Sequence, residues 1–438
     1  MEKIILIDTN LYLDDANIIY KLSKKFDKVL IPLMVLQELD DKKYHKELSY
    51  SARNAIRAIL DFSANYEDQI IFDTERYDAD SPDSKILASA KAYNATVATK
   101  DVAMSLQAKS MGLTSVLHDM VLNNIFDPYI HIEMDDLIKI TSNDPFAYLN
   151  EYTDENTYDN LISIFSEISN RKINKNYWWF VIIEVGTKNK VIYANNPIKR
   201  KLVRIDNINK YREIRTDDAS TIKARDEYQV CAIYAMVEAP NVLICGSYGS
   251  GKSLLASAYA IAYNSDRKTF ISRPNLTVDR RFELGFLPGN LADKLSPWMA
   301  GFMSSLYYMF SNTKGQKMNN GISYDYVKDQ IFTKYFEMTP LDSLQGMSFM
   351  EQDLLLLDEV QLCSIAILSI VLSRFGEGSK LIMMGDVKQT YGVIPPSENG
   401  LLKLLRLMPN KNLAYVYLHN NYRSELIELA VELQNKSF

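Results

Sequence analysis

Along the first 130 positions, short solid apolar runs alternate with longer amphipathic stretches. The runs KIILID (3–8), KVLIP (28–32) and ATVATKD (95–101) are bounded by polar residues and read as buried strands, and SMGLTSVL (110–117) holds another short one. The stretches NIIYKLSKKF, LMVLQELDDKKY, SYSARNAIRAILDFSANY and SKILASAKAY read as helices. This alternation predicts an α/β domain on a mainly parallel sheet over residues 1–132.

The pattern then changes. Residues 135–170 are polar and acidic with helical pieces. Aromatic and β-branched runs broken by polar turns at 177–206 predict a small antiparallel β-unit, within a linking region at 133–216. A second α/β domain is expected over 217–438, interrupted by a polar, glycine-containing insertion near 311–325. No internal repeat or long low-complexity segment is present.

Composition adds limits. A net charge of -6 argues against a protein that coats nucleic acid nonspecifically, but leaves room for a local basic groove. Cys231, Cys245 and Cys363 stand in apolar segments with neither metal spacing nor a disulfide framework, so buried thiols in a reducing compartment are expected. The longest apolar runs are too short to span a bilayer, and MEKIILIDTNLYL reads as a first strand, not a leader peptide. A cytoplasmic protein with no membrane partner is expected.

The first chemistry lies at 243–255, LICGSYGSGKSLL. Gly246, Gly251, Lys252 and Ser253 have the spacing GxxxxGK[ST], between an apolar strand and an apolar helix. In such a loop (Gly246, Ser247, Tyr248, Gly249, Ser250, Gly251) backbone N–H groups turn inward onto phosphate oxygens. Lys252 would reach the β- and γ-phosphates of ATP and Ser253 would ligate Mg²⁺. DLLLLDEVQ (353–361) reads as a buried strand ending in two acids. Asp358 would hold Mg²⁺, and Glu359 would orient and polarise the attacking water. SKLIMMGDVKQT (379–390) is another strand with a polar end, where Gln389 is placed to sense the γ-phosphate.

Together with SRPN (272–275), GFLPGNLADKLSPWM (285–299), SRFGEGSK (373–380) and YRSELIELA (422–430), these motifs resemble the PhoH family of ATPases over about 217–434. That family's core is similar to one RecA-like domain of superfamily 1 helicases. The resemblance implies that Gln229 contacts adenine and that Arg423 touches the γ-phosphate. It also implies Arg374 as a finger toward a neighbouring subunit, and Arg273 as a link between nucleic acid and nucleotide. Superfamily 1 motors close two such cores around one nucleotide and this chain has one, so a homo-oligomeric ring, a hexamer as in the family, is expected.

In the N-terminal half, Asp8 stands at the carboxyl end of the first strand, where open α/β sheets bind ligands. Alone it serves equally well as a helix cap. Glu38, Asp83 and Asp101 recur at comparable points, and carboxylates converging on one sheet edge repel unless a cation such as Mg²⁺ or Mn²⁺ sits among them. IDTN, IPLMVLQELDDKK, DSKILASA and TKDVAMSLQAKSMGL resemble a PIN domain, a metal-dependent ribonuclease fold, over residues 1 to about 130. Asp8, Glu38, Asp83 and Asp101 match its acidic positions, with Asp80 a competitor for the third. Ser84 stands where that family often has Asn. Ala103, Ser105 and Gln107 stand where Asn, Arg and Lys tend to follow, which weakens the expected grip on RNA.

The order PIN, β-unit, PhoH is that of the fused PIN–PhoH proteins. The resemblance implies an ATP-driven RNA helicase or translocase that delivers single-stranded RNA to a ribonuclease, with a small inhibitor protein left open as a partner. Two rivals are a nucleotide-controlled oligomer that binds RNA or a partner without cutting, and an ATPase acting on protein or DNA. Within the β-unit, Tyr177, Trp178, Trp179 and Phe180 read first as a core strand. Lys199, Arg200, Lys201 and Arg204 read equally as a solvated turn or an RNA contact.

Overall fold

The computed structural model describes residues 2–44, 48–117, 125–141, 155–186, 189–217, 219–274, 300–311, 326–387, 389, 394, 396 and 398–422. The chain forms two compact units, Met1–Ile125 with Ile394–Lys403, and Phe126–Val393 with Leu404–Phe438.

The first unit is built on five parallel strands: β1 (Ile4–Ile7), β2 (Lys28–Pro32), β3 (Ile70–Asp73), β4 (Thr96–Thr99) and β5 (Ser115–Leu117), in the order β3-β2-β1-β4-β5. The central β1 pairs Leu6 with Leu30 on one side and Val97 on the other. Its solid apolar run is explained by helices on both faces of the sheet. The helix Ser49–Asn65 turns Ala52, Ala55, Ile59 and Phe62 inward at helical spacing and belongs to the same core as β1. The edge strand β3 has no counterpart in the sequence reading, because Ile70 and Ile71 are only half-buried, Phe72 is exposed and the buried end residue is the polar Asp73. All five carboxyl ends share one edge, so Asp8, which follows β1, lies on the same edge as Asp101, which follows β4.

The second unit holds six parallel strands: β12 (Asn241–Gly246), β13 (Thr269–Ser272), β14 (Phe336–Met338), β15 (Leu354–Leu357), β16 (Lys380–Gly385) and β17 (Leu413–Leu418). Their order is β14-β13-β15-β16-β12-β17. All four leucines of β15 are buried, as a strand covered on both faces requires. The loop after β12 and the acids after β15 are separated by β16, which puts β16's own carboxyl end between them.

A four-stranded sheet of β6 (Tyr129–Glu133), β7 (Phe180–Val185), β8 (Asn189–Asn196) and β9 (Lys201–Arg204) belongs to the same unit. The expected antiparallel β-unit is present as β7-β8-β9, but β6 joins it in parallel. A short pair, β10 (Glu213–Ile214) and β11 (Ile222–Lys223), completes the strands. Trp178, Phe180 and Ile182 pack into the core shared with the helix Glu227–Glu238. Trp179, Val181 and Ile183 face the opposite way, against Leu137, Leu161 and Phe165. Each buried aromatic of this kind contributes about 2–3 kcal/mol. Tyr129 also seals the edge strand β17: its hydroxyl donates to Tyr417 O at 2.9 Å and accepts from Tyr417 N–H at 3.1 Å.

Candidate functional site

The loop 246–251 closes tightly on itself. A Cβ on Gly246 would stand 2.8 Å from Leu418 O and 2.9 Å from Ser250 Oγ, so only glycine lets the loop leave β12 here. Gly251 has φ +97 and opens the helix Lys252–Tyr263 without a side-chain cap. Its first-turn N–H groups are therefore the donors an anion would meet. The Lys252 ammonium donates to Gly246 O at 2.7 Å and Ser247 O at 2.9 Å. Burial pushes its pKa down, against the pull of Asp386 and Asp358.

The acids face this lysine across the sheet edge. Burial raises Asp358 to about 6, and Glu359 beside it adds to the rise, while Arg273 opposes it. Asp358 N–H bonds Ser272 O at 2.9 Å, which extends the β13–β15 pairing up to the site. Glu359 takes a left-handed backbone with φ 53, uncommon outside glycine and typical of residues held for function. Its Oε1 lies 3.3 Å from Arg273 Nη2, and its Oε2 accepts from Gln361 Nε2. Gln361 is fully buried, and its Oε1 accepts from Asp386 N–H. Gln389, also buried, donates from Nε2 to Asp386 Oδ2.

Sequence reasoning gave no role to Gln361 or Asp386, although both lie within quoted motifs. The available signal was a polar residue just beyond an apolar strand, DEVQ and MMGD. It also missed Asp226 and Tyr422. Asp226 caps the helix Glu227–Glu238 through Gln229 N–H and accepts from Tyr422 Oη and Asn420 Nδ2. Tyr422 N–H in turn bonds Gly249 O at 3.1 Å, so the segment after β17 is fastened to the phosphate loop.

Several of these residues, Asp386 and Tyr422 among them, line one open cleft of about 1350 Å³. It includes Tyr248, Lys252, Ser253, Arg273, Asp358, Glu359, Gln389 and Tyr422. Gln229 also borders it, with both ends of its amide engaged: Nε2 donates to Ser250 O and Oε1 accepts from Arg225 N–H, each at 2.9 Å. In this structure it supports the loop from beneath. The donor set fits a magnesium–nucleotide: an uncapped helix start, a lysine, a hydroxyl at Ser253 and a buried acid at Asp358.

Other expected residues fall elsewhere. Arg374 bonds Phe349 N–H through its backbone, ahead of β15, and is not among the cleft-lining residues. Its expected role toward a neighbouring subunit does not involve its own cleft. Arg423, the segment 285–299 and most of the 311–325 insertion lie outside the described residues. Trp178, Trp179 and Phe180 are buried on the two faces of their sheet, so they offer no stacking platform. Within the basic cluster, Lys199 pairs with Glu238 at 2.5 Å and Arg204 with Asp206 at 3.1 Å, so neither is an uncommitted cation.

In the first unit, Asp8 is buried and accepts from Thr99 Oγ1 at 2.8 Å. Burial raises its pKa, and the charges of Asp83 and Glu38 raise it further. Asp83 is raised by partial burial, then by Glu38 and Asp101. Asp8 therefore lies within electrostatic reach of Asp83 and Glu38, and Asp83 within reach of Glu38 and Asp101, while Asp80 is exposed on the segment before the helix Pro82–Ala92. Among the described residues no three His, Cys, Asp or Glu side chains are grouped to hold a metal ion. Glu38 is drawn onto the Thr9 hydroxyl, and Asp101 caps the helix Val102–Ser110 through Ala103 and Met104 N–H. The chemistry of the donors suits a hard cation.

Among the described residues no helix is long and apolar enough to cross a membrane. The family profile described as PhoH-like protein matches residues 221–434, and that described as PIN domain matches residues 5–118. Protein PhoH2 of Bacillus subtilis (strain 168) is 25% identical over 477 aligned residues, covering 99% of this chain and 100% of its own. Protein PhoH2 of Thermobispora bispora is 24% identical over 463, covering 98% and 95%. Protein PhoH of Escherichia coli (strain K12) is 25% identical over 230, covering 48% of this chain and 61% of its own.

Proposed function

With an N-terminal PIN domain and a C-terminal PhoH-like domain in one chain, the protein is a PIN–PhoH fusion, and we propose that it hydrolyses ATP to move or unwind RNA and cleaves the strand at its N-terminal acids. The observation that carries the ATPase half is the meeting of Lys252, Ser253, Asp358, Glu359 and Gln389 in one cleft at the carboxyl edge of the six-stranded sheet. The loop N–H groups and Lys252 bind the phosphates. Ser253 and Asp358 would hold Mg²⁺, which would supply charge neutralisation at the transferred phosphoryl group. Glu359 orients the attacking water, and Gln389, fixed by Asp386, reads the γ-phosphate. Arg423, and Arg374 from a neighbouring subunit, complete the site in a homo-oligomeric ring, a hexamer. A fully active monomer in sedimentation and kinetic assays would sink the ring.

For the nuclease half, Asp8, Glu38, Asp83 and Asp101 are the groups that would hold Mg²⁺ or Mn²⁺ and present single-stranded RNA to an activated water. A specific observation favours a second reading: Asp101 and Glu38 are committed to local hydrogen bonds. A nucleotide-controlled oligomer that binds RNA or an inhibitor protein without cutting fits that arrangement.

The experiment is RNA cleavage by the purified chain with Mg²⁺ or Mn²⁺, with and without ATP, beside Asp8→Asn and Lys252→Ala. Loss of cleavage in the first variant and slowing in the second supports ATP-coupled RNA degradation. No cleavage with either metal while ATP hydrolysis persists moves the assignment to the nucleotide-controlled binder.

A further inference from the structure

The residue that would orient water is held on both sides. Glu359 Oε1 lies 3.3 Å from the Arg273 guanidinium and Oε2 accepts from Gln361. Its N–H is bonded to Asp358 Oδ1 at 3.0 Å, and its backbone sits in the left-handed region. Two of this carboxylate's roughly four lone-pair sites already face protein donors, one of them a cation, which leaves it a weaker acceptor for a water proton. Gln361 cannot be the element that lets go, because its other end is built into the sheet edge through Asp386 N–H and it is fully buried. Arg273 differs. It follows the last residue of β13, it lines the cleft, and its side chain keeps about a quarter of its surface exposed.

We infer that Arg273 is a latch on Glu359, a positioning residue that holds the carboxylate in a hydrolysis-incompetent pose until a phosphate oxyanion in the cleft draws the guanidinium away. The inference rests on the ATPase reading and adds its control. Guanidinium is suited to the exchange, since it binds carboxylate and phosphate with the same forked donors. The oxyanion has two possible sources, the γ-phosphate of the bound nucleotide or the backbone of a nucleic-acid strand, and both offer the same chemistry.

The test compares the full-length wild type with Arg273→Ala and Arg273→Lys. ATP hydrolysis is measured with and without single-stranded polyuridylate. The affinities for a fluorescent non-hydrolysable ATP analogue and for ADP are measured by anisotropy, and thermal melts report folding. A released latch raises kcat of Arg273→Ala without RNA by roughly 5-fold or more, with little change in KM. Arg273→Lys keeps the charge and stays closer to wild type. If RNA stimulates the wild type but no longer stimulates Arg273→Ala, the strand is the source. If RNA stimulates neither, and Arg273→Ala is faster but binds the ATP analogue more weakly with ADP binding unchanged, the γ-phosphate is the source. A slower or unchanged Arg273→Ala with wild-type RNA stimulation overturns the latch alone. No hydrolysis in any variant overturns the ATPase reading and the latch with it.

Discussion

Gln361 accepts the backbone N–H of Asp386 on its Oε1 at 3.0 Å, and so ties the carboxyl end of β15 to that of β16. The same amide donates to Glu359, so one buried side chain sets the distance between the acid pair and the Asp386–Gln389 pair. Replacing it as Gln361→Leu leaves the Asp386 N–H without this acceptor, at a cost of about 1–3 kcal/mol. Urea unfolding should show that loss, and ATP hydrolysis should fall with it. Gln361→Glu restores an acceptor but sets a second negative charge beside Glu359, so it should recover less than the full stability.

Lys252 is half-buried, with its pKa depressed by burial, so its charge is a burden to the free protein. Lys252→Met should leave the melting of the free protein unchanged or slightly raised. Wild type at 100-fold excess of ATP over its Kd should gain about 2.7 kcal/mol, and the variant should gain almost nothing. A variant that keeps the ligand-induced shift would remove Lys252 from phosphate binding.

Asp8 is strained in the same sense. Burial and then the charges of Asp83 and Glu38 raise its pKa, so its ionised form destabilises the fold. Asp8→Asn should stabilise the metal-free chain by roughly 1 kcal/mol while abolishing any metal-dependent cleavage. Added Mn²⁺ should raise the melting temperature of the wild type and not of the variant.

Glu238 pairs with Lys199 and Lys210 and accepts from Tyr211 Oη. Burial alone would raise its pKa, but these three donors bring it from 4.5 down to about 2. A carboxylate lowered in the folded state adds stability that is complete above about 4.5 and is lost as pH falls toward about 2. Glu238→Gln should therefore narrow the gap to wild type across that window, in unfolding curves collected at each pH. A gap that stays constant would show that the cluster does not stabilise the fold through its charge.

Tyr129 binds the backbone of Tyr417 as donor and acceptor at once. Tyr129→Phe should cost about 1–2 kcal/mol with little change in ring packing, and should speed amide exchange at Tyr417. Unchanged exchange there would mean that the β17 edge is sealed by packing alone.

What the sequence determined by itself is the chemistry that depends on neighbours along the chain. The loop 246–253 was legible because its glycines, lysine and serine act within one turn of backbone, between an apolar strand and an apolar helix. Asp8, Asp101, Asp358 and Glu359 were legible because an acid after a solid apolar run must lie at a strand end. The tertiary structure decided what depends on distant partners. β3 and β6 are edge strands and take their identity from the single strand each joins, so their own residues carry little signal. The aromatic run at 178–180 reads first as core but left a ligand-facing role open, and the helices on either side of its sheet bury it. Gln361 to Asp386, Tyr422 to Asp226 and Arg273 to Glu359 are bonds across 25 to 196 positions. Such pairs are made by strand order, because parallel strands bring their carboxyl ends together however far apart they lie along the chain. The same rule brings Asp8, Glu38, Asp83 and Asp101 to one edge. Local hydrogen bonds, from Thr9 to Glu38 and from the helix that Asp101 caps, set how these two carboxylates sit there.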